Sequence, residues 1–344
     1  MHAYTEAVLK EMRAQAPIAK DYTADTVFFG GGTPILLPLS DTERLMKEIR
    51  TLFTLTPDAE ITMEANPGAA DEKKLSALRA LGINRLSIGV QSLSDKELRA
   101  LGRVHNAADA IRFFRSARAS GFENINVDLM YGIPYQTQES FSETLDGILS
   151  LQPEHISAYS LIIEEGTPFF TQKETLSLPS EDEEDAFDKM LSQKLALAGY
   201  RHYEVSNFSK EGYASRHNLH YWRAEEYLGF GVSAYSFFGG ARYGNGKDIT
   251  AYMALSPSLP DEKEVLSKQT RAYEYIMLRL RLDEGVDTGE YERLFGVKLK
   301  ERYREEIARF KALGFMKESG ARLFLTERGM RFSNTVLVAF MEDF

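Results

Sequence analysis

The feature that most limits the fold is a regular alternation of short apolar runs and amphipathic helical stretches between Asp25 and Leu161. Each apolar run has strand character, and each is followed by residues with helical periodicity. Repeated strand–helix units place their strands parallel in one sheet, open or closed into a barrel. The predicted strands are Thr26–Phe29, Ile61–Glu64, Arg85–Gly89, Asn124–Leu129 and His155–Leu161.

Several predicted helices have a recognisable first residue. In a capping box, a serine caps the helix and a glutamate three positions later bonds back to it. Asp71 is a further N-cap candidate, because its carboxylate can accept from the first turn. The three pairs with capping-box spacing are Ser40–Glu43, Ser94–Glu97 and Ser180–Glu183.

The pattern changes after Gly166, and we predict three parts: residues 1–165, 166–266 and 267–344. The middle part contains a turn-rich, aromatic stretch from Tyr200 to Tyr252. In the last part, helical segments at Glu290–Phe295 and Lys300–Leu313 precede Met316–Thr326, which has the pattern of a hairpin. Two helices, a hairpin and a further helix are typical of a winged-helix α+β domain.

The composition narrows the classes of function. The 344 residues carry a formal net charge of −10, which argues against a large nucleic-acid footprint. With 0 cysteines, this chain supplies no disulfide, thiolate metal ligand or thiol nucleophile. There is no apolar run of about 18 residues and no signal-like start, so we predict a cytoplasmic protein.

Polar groups stand where the predicted strands end. Parallel strands end at one edge of a sheet, so these groups are expected to meet there. Buried unpaired, they cost several kcal/mol, which favours a bound polar ligand with hydroxyls and charges of both signs. The glycine loop alone fits a tight turn equally well. The groups are Gly30–Gly31–Gly32–Thr33, Glu64, Gln91, Asp128, Tyr159 and Ser160, with Arg103 beginning the next helix.

The motifs FFGGGTP, MEANPG, IGVQS, GRVHN and NVDLMYGIP, in this order, resemble the radical S-adenosylmethionine (SAM) proteins of the oxygen-independent coproporphyrinogen III oxidase family. Arg103 suits the methionyl carboxylate, and Glu64 or Asp128 suits a ribose hydroxyl. The resemblance implies a set of SAM-binding residues. They are Gly31, Gly32, Thr33, Glu64, Gln91, Arg103 and Asp128.

A second motif, HNLHYW at residues 217–222, is similar to that of the family's heme-chaperone branch, called HemW. The resemblance implies that His217 ligates heme iron and that Asn218, Tyr221 and Trp222 shape the heme pocket. It also implies client hemoproteins of respiratory type as partners. Imidazole is a common axial ligand, and aromatic walls suit a flat macrocycle. The alternative is structural: His-Asn caps a turn and Tyr-Trp fills core.

The resemblance also implies a [4Fe–4S] cluster, which the family holds with a CxxxCxxC loop after its first strand. That loop would precede the helix expected from Tyr4 to Ala16, and this chain lacks it. We therefore expect an incomplete (β/α)6 barrel whose first strand and cluster segment are missing together, through an internal start or a true loss. Without thiolates the chain alone does not generate the SAM radical.

Three functions follow from these patterns. The first is a HemW-like heme chaperone. The second is an oxygen-independent coproporphyrinogen III oxidase of porphyrin biosynthesis, against which the missing ligands and HNLHYW both count. The third is a winged-helix binding protein, disfavoured by the mixed charges of LKERYREEIARFKALG. A missing first strand leaves Thr26–Phe29 as a sheet edge, so we also expect poor solubility or a homodimer.

Overall fold

The structure is a computed structural model that describes residues 1–172, 176–255 and 263–341. Its largest feature is a curled half-barrel sheet of seven strands. The strands are β1 (Thr23–Phe29), β2 (Thr54–Ala65), β3 (Arg85–Gln91), β4 (Asn124–Tyr131), β5 (His155–Ser160), β6 (Arg201–Glu204) and β7 (Asn207–Ser209). The accompanying helices are α1 (His2–Gln15), α2 (Leu39–Leu52), α3 (Glu72–Ala80), α4 (Asp95–Ala100), α5 (Ala107–Ala119), α6 (Gln138–Leu151), α7 (Pro168–Gln172) and α8 (Glu181–Leu197), with 3-10 turns at Ala16–Ala19 and Pro34–Leu36.

The sheet has the order β1-β2-β3-β4-β5-β7-β6. β1 to β5 are parallel, as the strand–helix alternation predicts, whereas β7 and β6 are antiparallel additions. All five predicted strands are confirmed, although β2 begins earlier, at Thr54. β6 and β7 are not predicted, because they are too short and polar to show a period. They carry the sheet past residue 165.

The two faces of the half-barrel differ in polarity. Successive side chains on a strand point to opposite faces, so every second residue shares a face. One set is apolar and buried under the helices; it includes Met63, Leu86, Ile88, Ile125, Val127 and Ile156. The alternate set is polar and faces inward; it includes Glu64, Arg85, Ser87, Asn126, Asp128 and Ser157. The core of this part therefore lies outside the sheet, and a polar surface lies inside it.

The predicted helix starts are partly confirmed. Asp71 accepts from the Lys74 backbone at 2.8 Å, and Ser180 forms the expected capping box with Glu183. The Ser40 prediction is wrong, because the N-cap of α2 is Pro38 and the helix begins two residues earlier than predicted, at Leu39.

The capping box at Ser94 is also wrong, although Ser94 does precede α4. The Glu97 side chain is 1% exposed and is used elsewhere. It accepts from Ser92 Oγ at 2.6 Å and from Ser140 Oγ at 2.5 Å. Glu97 therefore joins α4 to the start of α6 instead of closing a box.

The middle of the chain adds two short helices and a small antiparallel sheet with the order β10-β9-β8. Both helices of this part lie in the stretch described only as turn-rich from the sequence. The elements are α9 (Arg216–Trp222), β8 (Tyr235–Phe238), β9 (Ala241–Gly244), α10 (Ile249–Leu255) and β10 (Lys263–Val265).

The C-terminal part has its own hydrophobic core and a three-stranded sheet with the order β11-β13-β12. The predicted hairpin is confirmed, and the helix expected at Lys300–Leu313 is broken in two. The arrangement is winged-helix-like. Its elements are α11 (Lys268–Arg279), β11 (Val286–Asp287), α12 (Thr288–Phe295), α13 (Leu299–Arg302), α14 (Arg304–Ala312), β12 (Met316–Ser319), β13 (Arg322–Leu325), α15 (Glu327–Arg331) and α16 (Ser333–Ala339).

Among the described residues, no helix has both the length and the apolar character needed to cross a lipid bilayer.

Candidate functional site

The loop after β1 leaves open space against its backbone. Gly31 has a φ of +93°, in the left-handed region that favours glycine. A Cβ added to Gly31 or Gly32 meets no atom within 4 Å. The Thr33 hydroxyl is held by Asn66, whose Nδ2 donates to Oγ1 at 3.0 Å. A ligand can therefore approach this backbone closely, which the SAM prediction requires.

Two carboxylates face each other across β3. Burial raises the pKa of Glu64 to about 7; the Asp128 charge adds to this rise and the Gly31 N–H opposes it. Burial also raises the pKa of Asp128. Asn126 Nδ2 donates to Asp128 Oδ1 at 2.7 Å, and Ser87 Oγ donates to the same carboxylate at 3.4 Å. At neutral pH these two carboxyl groups can accept hydrogen bonds from the hydroxyl groups of a ligand. Because the pKa of Glu64 is raised to about 7, the pair carries less than two full negative charges.

Gln91 and Arg103 complete the predicted set. Gln91 lies at a register shift at the end of β3 and has a φ of +68°. Arg103 follows α4 and is half-buried; burial lowers its pKa, and the Asp128 charge opposes that change. Among the described residues, the Arg103 guanidinium has no hydrogen-bond or ion-pair partner. A free guanidinium fork is suited to a carboxylate.

A cavity of about 420 Å³ lies against the inner face of the half-barrel. Glu64, Gln91 and Asp128 line it together. Gly31, in the loop after β1, interacts with Glu64, and Arg103, in the loop after α4, interacts electrostatically with Asp128. The structure therefore brings five of the predicted SAM-binding residues together at the mouth of the cavity: Gly31, Glu64, Gln91, Arg103 and Asp128. Gly32 and Thr33 continue the loop that carries Gly31.

The helix that carries HNLHYW is anchored to the half-barrel through its first turn. Ser215 caps α9 by accepting from the Asn218 backbone at 3.4 Å. The Glu60 carboxylate, on the inner face of β2, accepts from the backbone N–H groups of Arg216 and His217, each at 3.2 Å. Arg216 in turn forms an ion pair with Asp25 at 3.0 Å. The motif is thus fixed against β1 and β2.

His217 is held from two sides. Its Nδ1 lies 2.9 Å from Thr26 Oγ1, and its Nε2 lies 2.9 Å from the Tyr221 hydroxyl. Its ring stacks on Phe28 with centroids 4.8 Å apart. Burial lowers the pKa of His217 to about 4, and the charges of His220 and Arg85 add to this effect. His217 is therefore a neutral imidazole near pH 7, the form that binds metals.

His220, one turn away, has the opposite environment. Its Nδ1 is bonded to Glu225, and its Nε2 lies 2.7 Å from Asp25 Oδ1. The hydrogen bond to Glu225 is the largest of the causes that raise the pKa of His220, and Asp25 adds to it. Both ring nitrogens face carboxylates, so His220 is suited to anchoring α9 and poorly suited to binding iron.

The other motif residues separate onto two sides of α9. Tyr221 lies beside His217 with ring centroids 5.1 Å apart, and it continues to Tyr227 at 4.6 Å. Asn218 lines the inner cavity. Trp222 instead lies under the guanidinium of Arg281, 5.9 Å from the ring centroid. The structure therefore brings His217 and Tyr221 together and places Trp222 toward the C-terminal part.

Several residues of the inner face are not predicted as site residues from the sequence, because the candidates come mainly from the strand ends. Glu60 and Thr26 contact α9, and other side chains line the cavity. The signal is the alternation of polar residues along the strands, as in ITME, RLSIG and NINVD. The cavity residues concerned are Phe28, Arg85, Ser87, Asn126, Met130 and Ser157, whereas Tyr159 lines the cavity as a strand-end residue already named from the sequence.

The residues of this chain do not fit an iron–sulfur cluster. The sequence has 0 cysteines. Within the described ranges, histidine, aspartate and glutamate also form no group of three or more that could hold a metal ion. No chemistry is therefore assigned to a cluster on this chain.

Comparisons with known proteins agree with this geometry. The profile described as Radical SAM superfamily matches residues 2–148, and the HemN C-terminal domain matches residues 266–332. The solved structure of coproporphyrinogen III oxidase (HemN) from Escherichia coli covers 99% of this chain, and 83% of its own, with a TM-score of 0.85 and 24% identity. At this identity the likeness shows the fold alone. The two profile matches define a chain with a radical SAM domain and a HemN-type C-terminal domain.

Curated relatives show which family within this class of radical SAM proteins the chain belongs to. The heme chaperone HemW of Lactococcus lactis is 34% identical over 344 residues, spanning 99% of this chain and 90% of the relative. That of Bacillus subtilis is 36% identical over 325 residues, spanning 92% and 86%. The chain belongs to the HemW family of heme chaperones.

Proposed function

We propose that this protein binds heme through His217 and delivers it to hemoprotein clients. The observation that supports this most directly is the state of His217, a neutral imidazole between Thr26 and Tyr221. For iron to bind Nε2, the ring proton must sit on Nδ1, where Thr26 Oγ1 can accept it. A metal-binding histidine commonly donates its other N–H in this way.

The aromatic side chains around His217 support the same proposal. Phe28, His217, Tyr221 and Tyr227 form a continuous row, with neighbouring ring centroids 4.6 to 5.1 Å apart. Tyr221 is partly exposed, at 39%, so the row reaches the surface. Rings in such a row offer apolar area to a flat macrocycle.

Heme titration followed through the Soret band tests this proposal. The wild type and His220→Ala are expected to give the band of a histidine-ligated heme, and His217→Ala is expected to lose it. His220→Ala is the matched control because it removes an imidazole from the same helix. Equal binding by His217→Ala would exclude His217 as the ligand, and no binding by the wild type would exclude the chaperone function.

We also propose that SAM binds at the mouth formed by Gly31, Glu64, Gln91, Arg103 and Asp128. SAM supplies a radical only when a cluster reduces it, and no radical step is proposed for this chain. We expect Arg103→Met to weaken SAM binding about tenfold, since a charge-assisted hydrogen bond to a carboxylate is lost. Isothermal titration measures this, with the exposed Arg99→Met as control; equal affinities would remove Arg103 from the site.

We also propose three features that the sequence leads us to expect: respiratory-type hemoproteins as clients, a cytoplasmic location and a homodimer. The C-terminal winged-helix-like part is proposed as a domain of residues 267–344, and the cavity-bearing part as the cofactor domain.

A further inference from the structure

The inner cavity contains a buried cation that has no partner among the residues that the structure describes. Arg85 begins β3, lines the cavity and is only 2% exposed. Its Nε is buried and has no hydrogen-bond acceptor. Among the described residues, the guanidinium forms no ion pair with any carboxylate. Asn126, Ser87 and Asp128, on the same face, bond to one another instead.

An unpaired buried arginine is energetically unfavourable. Removing a charge from water costs several kcal/mol unless a partner and hydrogen bonds offset it. Lysine and histidine relieve this cost by losing a proton, but arginine keeps its charge at any pH in the physiological range. The position therefore favours a bound anion, since the described part of the chain supplies none to it.

The nearby carboxylates are engaged elsewhere. Asp128 feels the Arg85 charge, which lowers its pKa against the larger effect of burial. Its oxygens nevertheless accept from Asn126 and Ser87. Glu60, on the same face of the adjacent strand, accepts from the first turn of α9. Neither carboxylate is within ion-pair distance of Arg85.

We infer that Arg85 is the anion-binding residue of this cavity and that its ligand carries a carboxylate. A guanidinium fork matches a carboxylate with two parallel hydrogen bonds. Tyr159 lines the same cavity and offers a hydroxyl donor, whereas the Ser157 hydroxyl already donates to Asn126 Oδ1 at 3.1 Å. Glu64 and Asp128 share the space, so a monoanion is favoured over a doubly charged phosphate, which they would repel.

Two ligands of the proposed function contain such a group, and the inference rests on that proposal for the ligand's identity only. One source is a propionate arm of heme, since Asn218, next to the candidate iron ligand His217, lines the same cavity as Arg85. The other is the methionyl carboxylate of SAM, for which Arg103 is the competing partner. The chemistry at Arg85 is the same for both.

Two matched pairs of ligands distinguish heme from SAM as the source of the carboxylate. Heme is compared with heme dimethyl ester, and SAM with decarboxylated SAM, on the wild type, Arg85→Met and the exposed control Arg99→Met. We expect the wild type and Arg99→Met to prefer the free acid of one pair by about tenfold or more, and Arg85→Met to bind both members of that pair equally. The pair that responds identifies the source.

Folding of the variant is checked in the absence of ligand. Methionine fills part of the arginine volume without a charge, so Arg85→Met is expected to unfold at a temperature equal to or above that of the wild type. Arg85→Lys keeps the charge and is expected to keep a reduced preference for the acid. If Arg85→Met retains the wild-type preference, or if the wild type shows none in either pair, the inference is wrong. If the wild type binds no heme at all, the chaperone proposal is wrong. The comparison of SAM with decarboxylated SAM then tests by itself whether Arg85 binds a carboxylate.

Discussion

At the scale of single residues, surroundings decide what two histidines three positions apart can do. His217 is buried against Phe28 and has a lowered pKa, whereas His220 lies between Asp25 and Glu225 and has a raised one. The HNLHYW motif predicts that a histidine binds iron, and its spacing puts His217 and Tyr221 on one side of a helix. The partners Thr26 and Phe28 come from a strand almost 190 residues earlier, which no local pattern reveals.

Tyr221→Phe should increase heme affinity. The Tyr221 hydroxyl lies 2.9 Å from His217 Nε2, so iron binding at that nitrogen must first break this contact. One hydrogen bond contributes about 0.5–1.5 kcal/mol, which corresponds to roughly two- to tenfold in affinity. Stopped-flow and equilibrium heme titrations measure the change.

Tyr227→Phe is the control for this substitution, because Tyr227 contacts the Tyr221 ring and not His217. Weaker heme binding by Tyr221→Phe would show that the hydroxyl assists ligation and does not oppose it.

His220 should make the free energy of unfolding depend on pH. Its pKa is raised in the folded protein, chiefly by its hydrogen bond to Glu225, so the folded state holds the proton more tightly than the unfolded state. The stabilisation is complete below the ordinary pKa near 6.5 and is lost as pH rises through the raised value. Urea unfolding of the wild type and His220→Asn from pH 6 to 9 measures this. The difference between the two proteins should shrink with rising pH, and a constant difference would contradict the assignment.

At the scale of elements, the strand–helix alternation specifies β1 to β5 because each unit is long enough to show its period. β6 and β7 have four and three residues and belong to no repeat. The inner cavity follows from the polar alternation along β2 to β5. The position of α9 does not follow from any such alternation. It depends on Glu60 and Asp25, which accept hydrogen bonds from residues more than 150 positions away.

Glu60→Gln should loosen α9 and destabilise the protein by about 1–2 kcal/mol. The carboxylate is 7% exposed and accepts from two backbone N–H groups at the start of the helix, where negative charge is favoured. Urea denaturation gives the difference in free energy. Asp58→Asn is the control, because the carboxylate of this exposed residue forms an ion pair with the Arg216 side chain at 3.1 Å, and exposed ion pairs contribute about 0.5 kcal/mol. Equal effects of the two substitutions would rule out a capping role for Glu60.

At the scale of the whole molecule, the C-terminal part is joined to the half-barrel by charged contacts. Arg331 on α15 pairs with Asp185 at 2.9 Å and with Asp188 at 3.1 Å, both on α8. The winged-helix-like pattern is evident in the sequence, since its helices and hairpin are local. Its attachment to α8 is not, because a salt bridge between distant segments leaves no periodic signal.

Self-association through β1 is the prediction at this scale. β1 is the first strand of the sheet order, and among the described residues only β2 pairs with it. An open strand edge favours pairing with another chain, and a lysine on the edge opposes it. Light scattering after size-exclusion chromatography should show a concentration-dependent dimer in the wild type and less dimer in Thr23→Lys.

Thr54→Lys is the matched control, since Thr54 is the β2 partner of Thr23 and lies one strand inside the edge. A monomer at all concentrations in the wild type would show that the β1 edge does not drive association.

Phe28 links the two regions of the candidate site. Its ring stacks on His217, and a Cβ added to Gly30 would come within 2.5 Å of one of its ring atoms. We therefore expect a ligand that turns the imidazole to shift Phe28 and, through it, the glycine loop. Thermodynamic linkage makes such an effect reciprocal: whatever factor heme applies to the dissociation constant of SAM, SAM must apply to that of heme.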